Sequence, residues 1–299
     1  VINIKAGSGP YDEPITLDQT AVGFGDVVGD ITIQTDTPGT NVVLKLQPHP
    51  NSTLGGNDGL MISQDIHDVT LRDLVFTRSL TVLPVDELVR QDENTPNTTV
   101  NTLAFYNCIF TEVGVDGNPL TTTKAGALLP PAPIGGPARI ASAFLFQHWG
   151  DVGESLNVIL DNCTFYAGTS SNCYARSDGS GPETVTIHNS LSSYAGYNCF
   201  HTGGINPEGV LIVTGTDVTQ GPLNCTAAIF PLIGGHCIQV ANTVVGQVSN
   251  ISNFLGEASE APSTSASRGI SGGTGLLNLS NVILDVQNYG VVDLTNDPT

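Results

Sequence analysis

The sequence predicts an all-β protein, a chain of short strands stacked coil upon coil, and three observations predict it. The first is composition: 299 residues hold 34 Gly but one Met and one Trp. Abundant Val, Ile, Leu, Thr and Asn favour strands and turns over helices. No stretch keeps a helical apolar period over several turns without a Gly, Pro or β-branched break. The second is an internal repeat with a polar residue at one fixed place. The third is the spacing of that residue, which settles at 26 to 27 through the middle of the chain.

The chain opens on two weak copies, Ile2-Asn3-Ile4-Lys5-Ala6 and Ile31-Thr32-Ile33-Gln34-Thr35. Seven stronger copies run over 69–76, 103–110, 158–165, 185–192, 211–218, 238–245 and 277–284. Their first and third places are apolar throughout, and strand alternation turns both inward. The fifth place reads Asp73, Asn107, Asn162, Asn189, Gly215, Asn242 and Asn281. These residue types tolerate the left-handed conformation, so the chain bends there. Places six and eight, mostly apolar, re-enter the core beyond the bend. Coils stacked about 4.8 Å apart set each turn residue above the next, and their amides can bond along the stack. A further strand row lies upstream in several copies, at Leu60-Met61-Ile62, Phe144-Leu145-Phe146, Cys173-Tyr174-Ala175 and Cys199-Phe200-His201. One coil cannot bury its own inner face, so several must stack.

The repeat resembles the right-handed parallel β-helix superfamily, the pectate-lyase-like proteins and phage tailspikes. The opening Ile4-Lys5-Ala6-Gly7-Ser8-Gly9-Pro10-Tyr11 is similar to the first coil of that superfamily, as are the turns Asn107-Cys108-Ile109-Phe110 and Asn162-Cys163-Thr164-Phe165. The resemblance spans nearly the whole chain. It implies one right-handed solenoid domain over 1–299, about nine coils counting the two weak copies. It speaks for architecture and hardly for chemistry.

Charge excludes several functions. Nine Lys and Arg against 28 Asp and Glu give −19. So few cations cannot track a nucleic-acid backbone or dock on anionic lipid. No apolar run reaches the roughly 18 residues of a membrane span. The start lacks a signal peptide's basic and apolar blocks, although a cleaved signal leaves no trace. The six cysteines form no C-x-x-C pair, so neither a zinc site nor another metal or cofactor site is expected. Cys108 and Cys163 share the sixth place and should stack as buried thiols; Cys173 and Cys199, 26 apart, should stack on the other row. Reduced packing is the expectation, bridging the alternative.

Three segments break the repeat, at about 79–99, 111–140 and 255–275, and insertions in a solenoid emerge as surface loops. The apolar run through Leu128, Leu129, Pro130, Pro131, Pro133 and Ile134 suits an arm pressed on another subunit.

Three enzyme groups within the resemblance lack their required residues here. No Arg has the calcium-binding carboxylates of a pectate lyase at coil spacing. Of the polygalacturonase set only Gly234-Gly235-His236 is present, and Gln64-Asp65 and Gln91-Asp92 match the pectin esterases only in part. A tailspike-type glycosidase needs just two carboxylates, and Asp161, Glu183 and Asp217 are its weak candidates. His148, His188 and His201 read as ordinary strand histidines. Tyr174, Tyr197, Phe200 and Trp149 read as packing rather than as a sugar-stacking strip.

The resulting expectation is a structural virion protein: a trimeric capsid decoration or cement knob of a tailed phage. It would be made in the host cytoplasm and attached outside the major capsid protein or other virion proteins. The alternatives are a carbohydrate-active β-helix protein acting on host surface polysaccharide, or a secreted adhesin. The sequons at Asn51, Asn97, Asn162, Asn224, Asn250 and Asn278 fit secretion but arise readily in a Ser- and Thr-rich chain.

Overall fold

The computed structural model describes residues 1–11, 15–17, 30–47, 59–62, 68–79, 87–92, 101–111, 113, 118–119, 142–148, 156–166, 171–177, 183–193, 198–204, 210–220, 236–240, 248–258, 268–271, 276–286 and 292–293. Among these there are strands and no helix. In chain order they are β1 (Ile2–Ile4), β2 (Ile15–Leu17), β3 (Ile31–Thr35), β4 (Val42–Leu46), β5 (Leu60–Ile62), β6 (Asp68–Arg72), β7 (Leu74–Arg78) and β8 (Glu87–Asp92). Next come β9 (Asn101–Tyr106), β10 (Ile109–Thr111), β11 (Ser142–His148), β12 (Leu156–Asp161), β13 (Thr164–Tyr166), β14 (Ser171–Ser177), β15 (Glu183–His188) and β16 (Leu191–Ser193). The last are β17 (Asn198–Gly204), β18 (Val210–Gln220), β19 (His236–Val240), β20 (Val248–Ala258), β21 (Arg268–Ser271), β22 (Leu276–Val286) and β23 (Val292–Asp293).

Two parallel sheets take these strands in a fixed cycle. In the first sheet one row runs β1-β3-β6-β9-β12-β15-β18 and a second runs β4-β7-β10-β13-β16-β18. The eleven-residue strands β18, β20 and β22 span both rows. The second sheet runs β2-β5-β8-β11-β14-β17-β19-β21-β23. The chain therefore visits row one, row two and the second sheet in turn.

Alternation explains the core. The third places of row one fall in one register column, Ile33, Leu71, Phe105, Leu160, Ile187 and Val213. Leu71, Phe105, Leu160 and Ile187 are 0–1% exposed. In row two the eighth-place rings Phe76, Phe110 and Phe165 stack with centroids 5.0 and 4.9 Å apart, and Phe105 meets Phe110 edge-on at 5.4 Å. A fully buried Phe contributes about 3 kcal/mol by area alone, and stacked pairs add roughly 1 kcal/mol each.

Four sequence expectations need correction. The copy placed at 238–245 is not a row-one copy: β19 pairs with β17 and β21 in the second sheet. The row-one strand there is β20, whose Ser252 and Phe254 flank Asn253 and face Ser280 and Val282 on either side of Asn281. Asn253 thus holds the corner register; Asn242 lies outside the described residues. Its surroundings share the Ile-x-Val alternation, which a short strand of either sheet satisfies. Second, Cys173 pairs with Phe200, so Cys199 is one residue out of register with it. Third, the stretch 79–99 contains β8. Fourth, 255–275 contains the end of β20 and all of β21. In both stretches strands of variable spacing passed for loops because the 27-residue period is broken there.

Candidate functional site

The corner between the two rows of the first sheet is built from the repeat's fifth place. Asp73, Asn107, Asn162, Asn189 and Asn281 all take positive φ, 58, 55, 53, 47 and 51°. A left-handed residue costs most amino acids about 1–2 kcal/mol, and Asn and Asp tolerate it best. Three of these corner N–H groups donate to the carbonyl of the next strand's fourth place: Asp73 to Tyr106 (3.0 Å), Asn107 to Asp161 (3.0 Å) and Asn162 to His188 (2.9 Å). The side chains form their own ladder, Asn107 Nδ2 donating to Asp73 Oδ1 (3.3 Å) and Asn162 Nδ2 to Asn107 Oδ1 (2.6 Å). Asn189 departs from it, donating from Nδ2 to Asp161 Oδ1 at 3.3 Å.

Immediately beyond the corner, the sixth place carries Cys108, Cys163 and Ser190, all buried. Each turns its donor back across the bend. Cys108 Sγ reaches the carbonyls of Tyr106 (3.4 Å) and Leu71 (3.5 Å). Cys163 Sγ reaches those of Asp161 (3.5 Å) and Phe105 (3.4 Å). Ser190 Oγ reaches those of His188 (2.7 Å) and Leu160 (3.4 Å), and accepts from Cys163 N at 3.1 Å. Neither cysteine is in a disulfide. Burial pushes the Cys108 thiol up to about 12 from 9.0, against the smaller lowering effect of backbone hydrogen bonds at Leu74 and Tyr106. A thiol held that high supplies almost no thiolate near neutral pH. These cysteines serve as corner donors, a role that Ser190 shows a hydroxyl can fill.

Row one's fourth places form a polar strip beside that corner. Gln34, Arg72, Tyr106, Asp161 and His188 are successive register partners. The Arg72 guanidinium lies 4.0 Å from the Tyr106 ring centroid, a cation–π contact worth about 0.5–1 kcal/mol at a partly exposed site. Sequence reading missed this pairing, although the 34-residue spacing shared by Arg72 and Tyr106 contained it.

Backbone register separates Asp161 from Glu183. Asp161 pairs with His188 and Glu183 with Leu156, at opposite ends of β12 and β15. Five strand residues separate them, about 16 Å at the usual rise, against the roughly 5–9.5 Å of a glycosidase pair. Asp217 pairs with Leu191, beyond the corner from Asp161. Among the described residues no group of three or more His, Cys, Asp and Glu is disposed to hold a metal ion. The arm residues Leu128, Leu129, Pro130, Pro131, Pro133 and Ile134 lie outside the described residues.

Sequence missed one further feature: Arg78, opposite the core residue Leu46, is only 2% exposed. Alternation puts position 78 on the inward face with Leu74 and Phe76, but an arginine there reads as solvent-facing by residue type. Comparison with protein-family models, with curated proteins and with solved structures finds no match to this chain.

Proposed function

We propose that the chain is a right-handed parallel β-helix of about nine coils and that it works as a rigid structural protein rather than an enzyme. Its place is the outside of a tailed-phage capsid, as a trimeric decoration or cement knob bound to the major capsid protein. The observation that carries this reading is the constancy of the corner. Asp or Asn with positive φ recurs from strand to strand, and its amides, with the neighbouring thiols, bond the strands to one another. Side chains so used hold shape. They are committed to the protein and are not free to meet a substrate. The acidic balance of −19 fits knobs crowded on one shell, because like charge keeps them soluble and apart.

Two measurements test it together. Light scattering should give three times the 31.1 kDa chain mass, and antibody raised against the chain should label intact virions at the capsid surface. Release of reducing sugar from bacterial surface polysaccharide, lost on Asp161→Asn, would replace this reading with the glycosidase one.

A further inference from the structure

The outer face of row one carries a symmetry that the repeat does not require. Its fourth places run Gln34, Arg72, Tyr106, Asp161 and His188 across β3, β6, β9, β12 and β15. All five are half-buried or exposed. Tyr106 is the middle member, with a cation one strand to one side and a carboxylate one strand to the other. The backbones at Arg72 and Asp161 stand about 10 Å apart along the sheet, with Tyr106 between them. The guanidinium lies 4.0 Å from the Tyr106 ring centroid and Asp161 Oδ1 accepts from the Asn189 amide, so both charges are held in place. The second places on this face are Thr32, Thr70, Ala104, Ile159 and Thr186, all uncharged. Ala104, at the centre of that column, is only 2% exposed.

We propose that this face docks a second copy of the chain, the two related by a two-fold axis that runs parallel to β9 at the level of Tyr106. Rotation about that axis keeps the sense of the strands and reverses the order in which they stack. Arg72 of each copy then faces Asp161 of the other, and Tyr106 meets Tyr106. Gln34 comes opposite His188, an amide against an imidazole, each with donor and acceptor capacity. In the second column Thr70 faces Ile159, Thr32 faces Thr186 and Ala104 faces Ala104. One column further, Asp68 faces Asn157, so no like charges meet there either. Charge complementarity fixes the register: moving the axis one strand either way sets Arg72 on Arg72 or Asp161 on Asp161. The contact is isologous and closes at two copies. Five strands by three outward positions span about 24 Å by 20 Å, so pairing buries about 1,000 Å² in all, the low end for a specific interface. The inference goes beyond the decoration reading and does not depend on it. It doubles whatever unit carries the face, one chain to two or three chains to six.

The test is the mass of the 299-residue chain across a concentration series, by sedimentation equilibrium and light scattering. Salt at about 0.15 M screens the long-range repulsion between copies. Wild-type mass should double with rising concentration and then stop. Arg72→Glu and Asp161→Arg should each abolish the doubling, raising the apparent dissociation constant about tenfold or more, while circular dichroism shows both variants folded. The two substitutions shift net charge in opposite senses, so a general charge effect would move them apart rather than together. Mixed, the two variants should pair with each other, because each supplies the sign that the other's change requires. A chain carrying both substitutions should double again on its own, its charges exchanged. A wild-type mass constant with concentration, doubling that survives Arg72→Glu, or single variants that stay apart on mixing would each overturn the proposal. A trimer whose mass never doubles defeats this contact and leaves the decoration reading standing; a single chain that doubles to two and goes no further does the reverse.

Discussion

The corner inside the first sheet and the passages from row two into the second sheet turn the same chain, yet from β6 onward only the first stays short. Between rows one and two the strands are separated by six residues at 36–41, by one at Asp73, by two at 107–108, 162–163 and 189–190, and by none in β18, β20 and β22. From row two to the second sheet the gap ranges from four residues at 167–170 to thirty at 112–141. The difference lies in what each bend is bonded to. A corner residue donates its N–H to the next strand, and its amide joins the neighbouring corner. An extra residue there would cost both copies their bonds. A passage of four residues or thirty delivers a strand to the second sheet in parallel register all the same. Length is constrained where successive copies bond to each other, and free where they need only arrive.

A one-residue insertion tests this most directly. Placed between Asn162 and Cys163, it reverses the alternation of β13 and turns Phe165 out of the core. The expected loss is at least that of deleting a buried Phe, about 3–5 kcal/mol, read from urea or guanidinium unfolding. The same residue inserted within 167–170 should cost about 0.6 kcal/mol or less, the small entropy of a longer loop. Equal losses at the two sites would erase the distinction.

Substitution separates the two parts of the corner's own cost. Asn107→Ala places a Cβ-bearing residue with no compensating amide at φ 55°, for about 1–2 kcal/mol. It also removes both ladder bonds made by Asn107, for about 1 kcal/mol more. Asn107→Gly should recover the backbone part and leave only the second. If Gly proves as damaging as Ala, the ladder rather than the conformation holds the corner. The passages offer a steric counterpart at Gly59, just before β5. A Cβ built there would lie 2.7 Å from Leu46 Cβ and 2.9 Å from the Leu88 carbonyl oxygen. Gly59→Ala should therefore cost about 1–3 kcal/mol as overpacking, with the second sheet's amides the first to lose protection in hydrogen exchange.

The same contrast decides what was legible in the sequence. Asp73, Asn107, Asn162, Asn189 and Asn281 could be read off because a left-handed bend restricts residue type. Asn242 reads as a corner because it continues the 27-residue interval, while the passage from β18 to β19 takes fifteen residues and displaces the next corner to Asn253. Strand β8 passed for a loop because Glu87-Leu88-Val89-Arg90-Gln91-Asp92 carries charge at both ends, and only its middle, Leu88 and Val89, is shown to be buried. The fourth-place strip, Arg72 to His188, lay in the alignment but was not singled out, for another reason. Its members share a register and not a residue type, so the alignment places them in one column without marking that column as special. For Asp161 and Glu183 the register adds what spacing alone cannot supply, since they lie at opposite ends of adjacent strands.

The smallest expected effect concerns the sixth place. Cys108→Ser keeps a donor aimed at the Tyr106 carbonyl, as Ser190 already does toward His188, so near pH 7 it should change stability by about 1 kcal/mol or less. The two proteins should then diverge in alkali. The folded thiol holds its proton up to about pH 12, whereas the unfolded thiol begins to lose it at 9.0. Between those values the unfolded chain binds fewer protons than the folded one, so stability falls as pH rises. The contribution is fully present below pH 9, and its loss steepens to at most about 1.4 kcal/mol per pH unit for one group. Serine has no such titration. The difference in unfolding free energy between wild type and Cys108→Ser should thus be flat below pH 9 and shift in favour of the variant above it. In the native protein an aromatic disulfide reagent should leave Cys108 and Cys163 unmodified until the chain unfolds. Rapid labelling of Cys108 at neutral pH, or a stability difference that stays flat through pH 11, would show that the thiol is not held in the core as a corner donor.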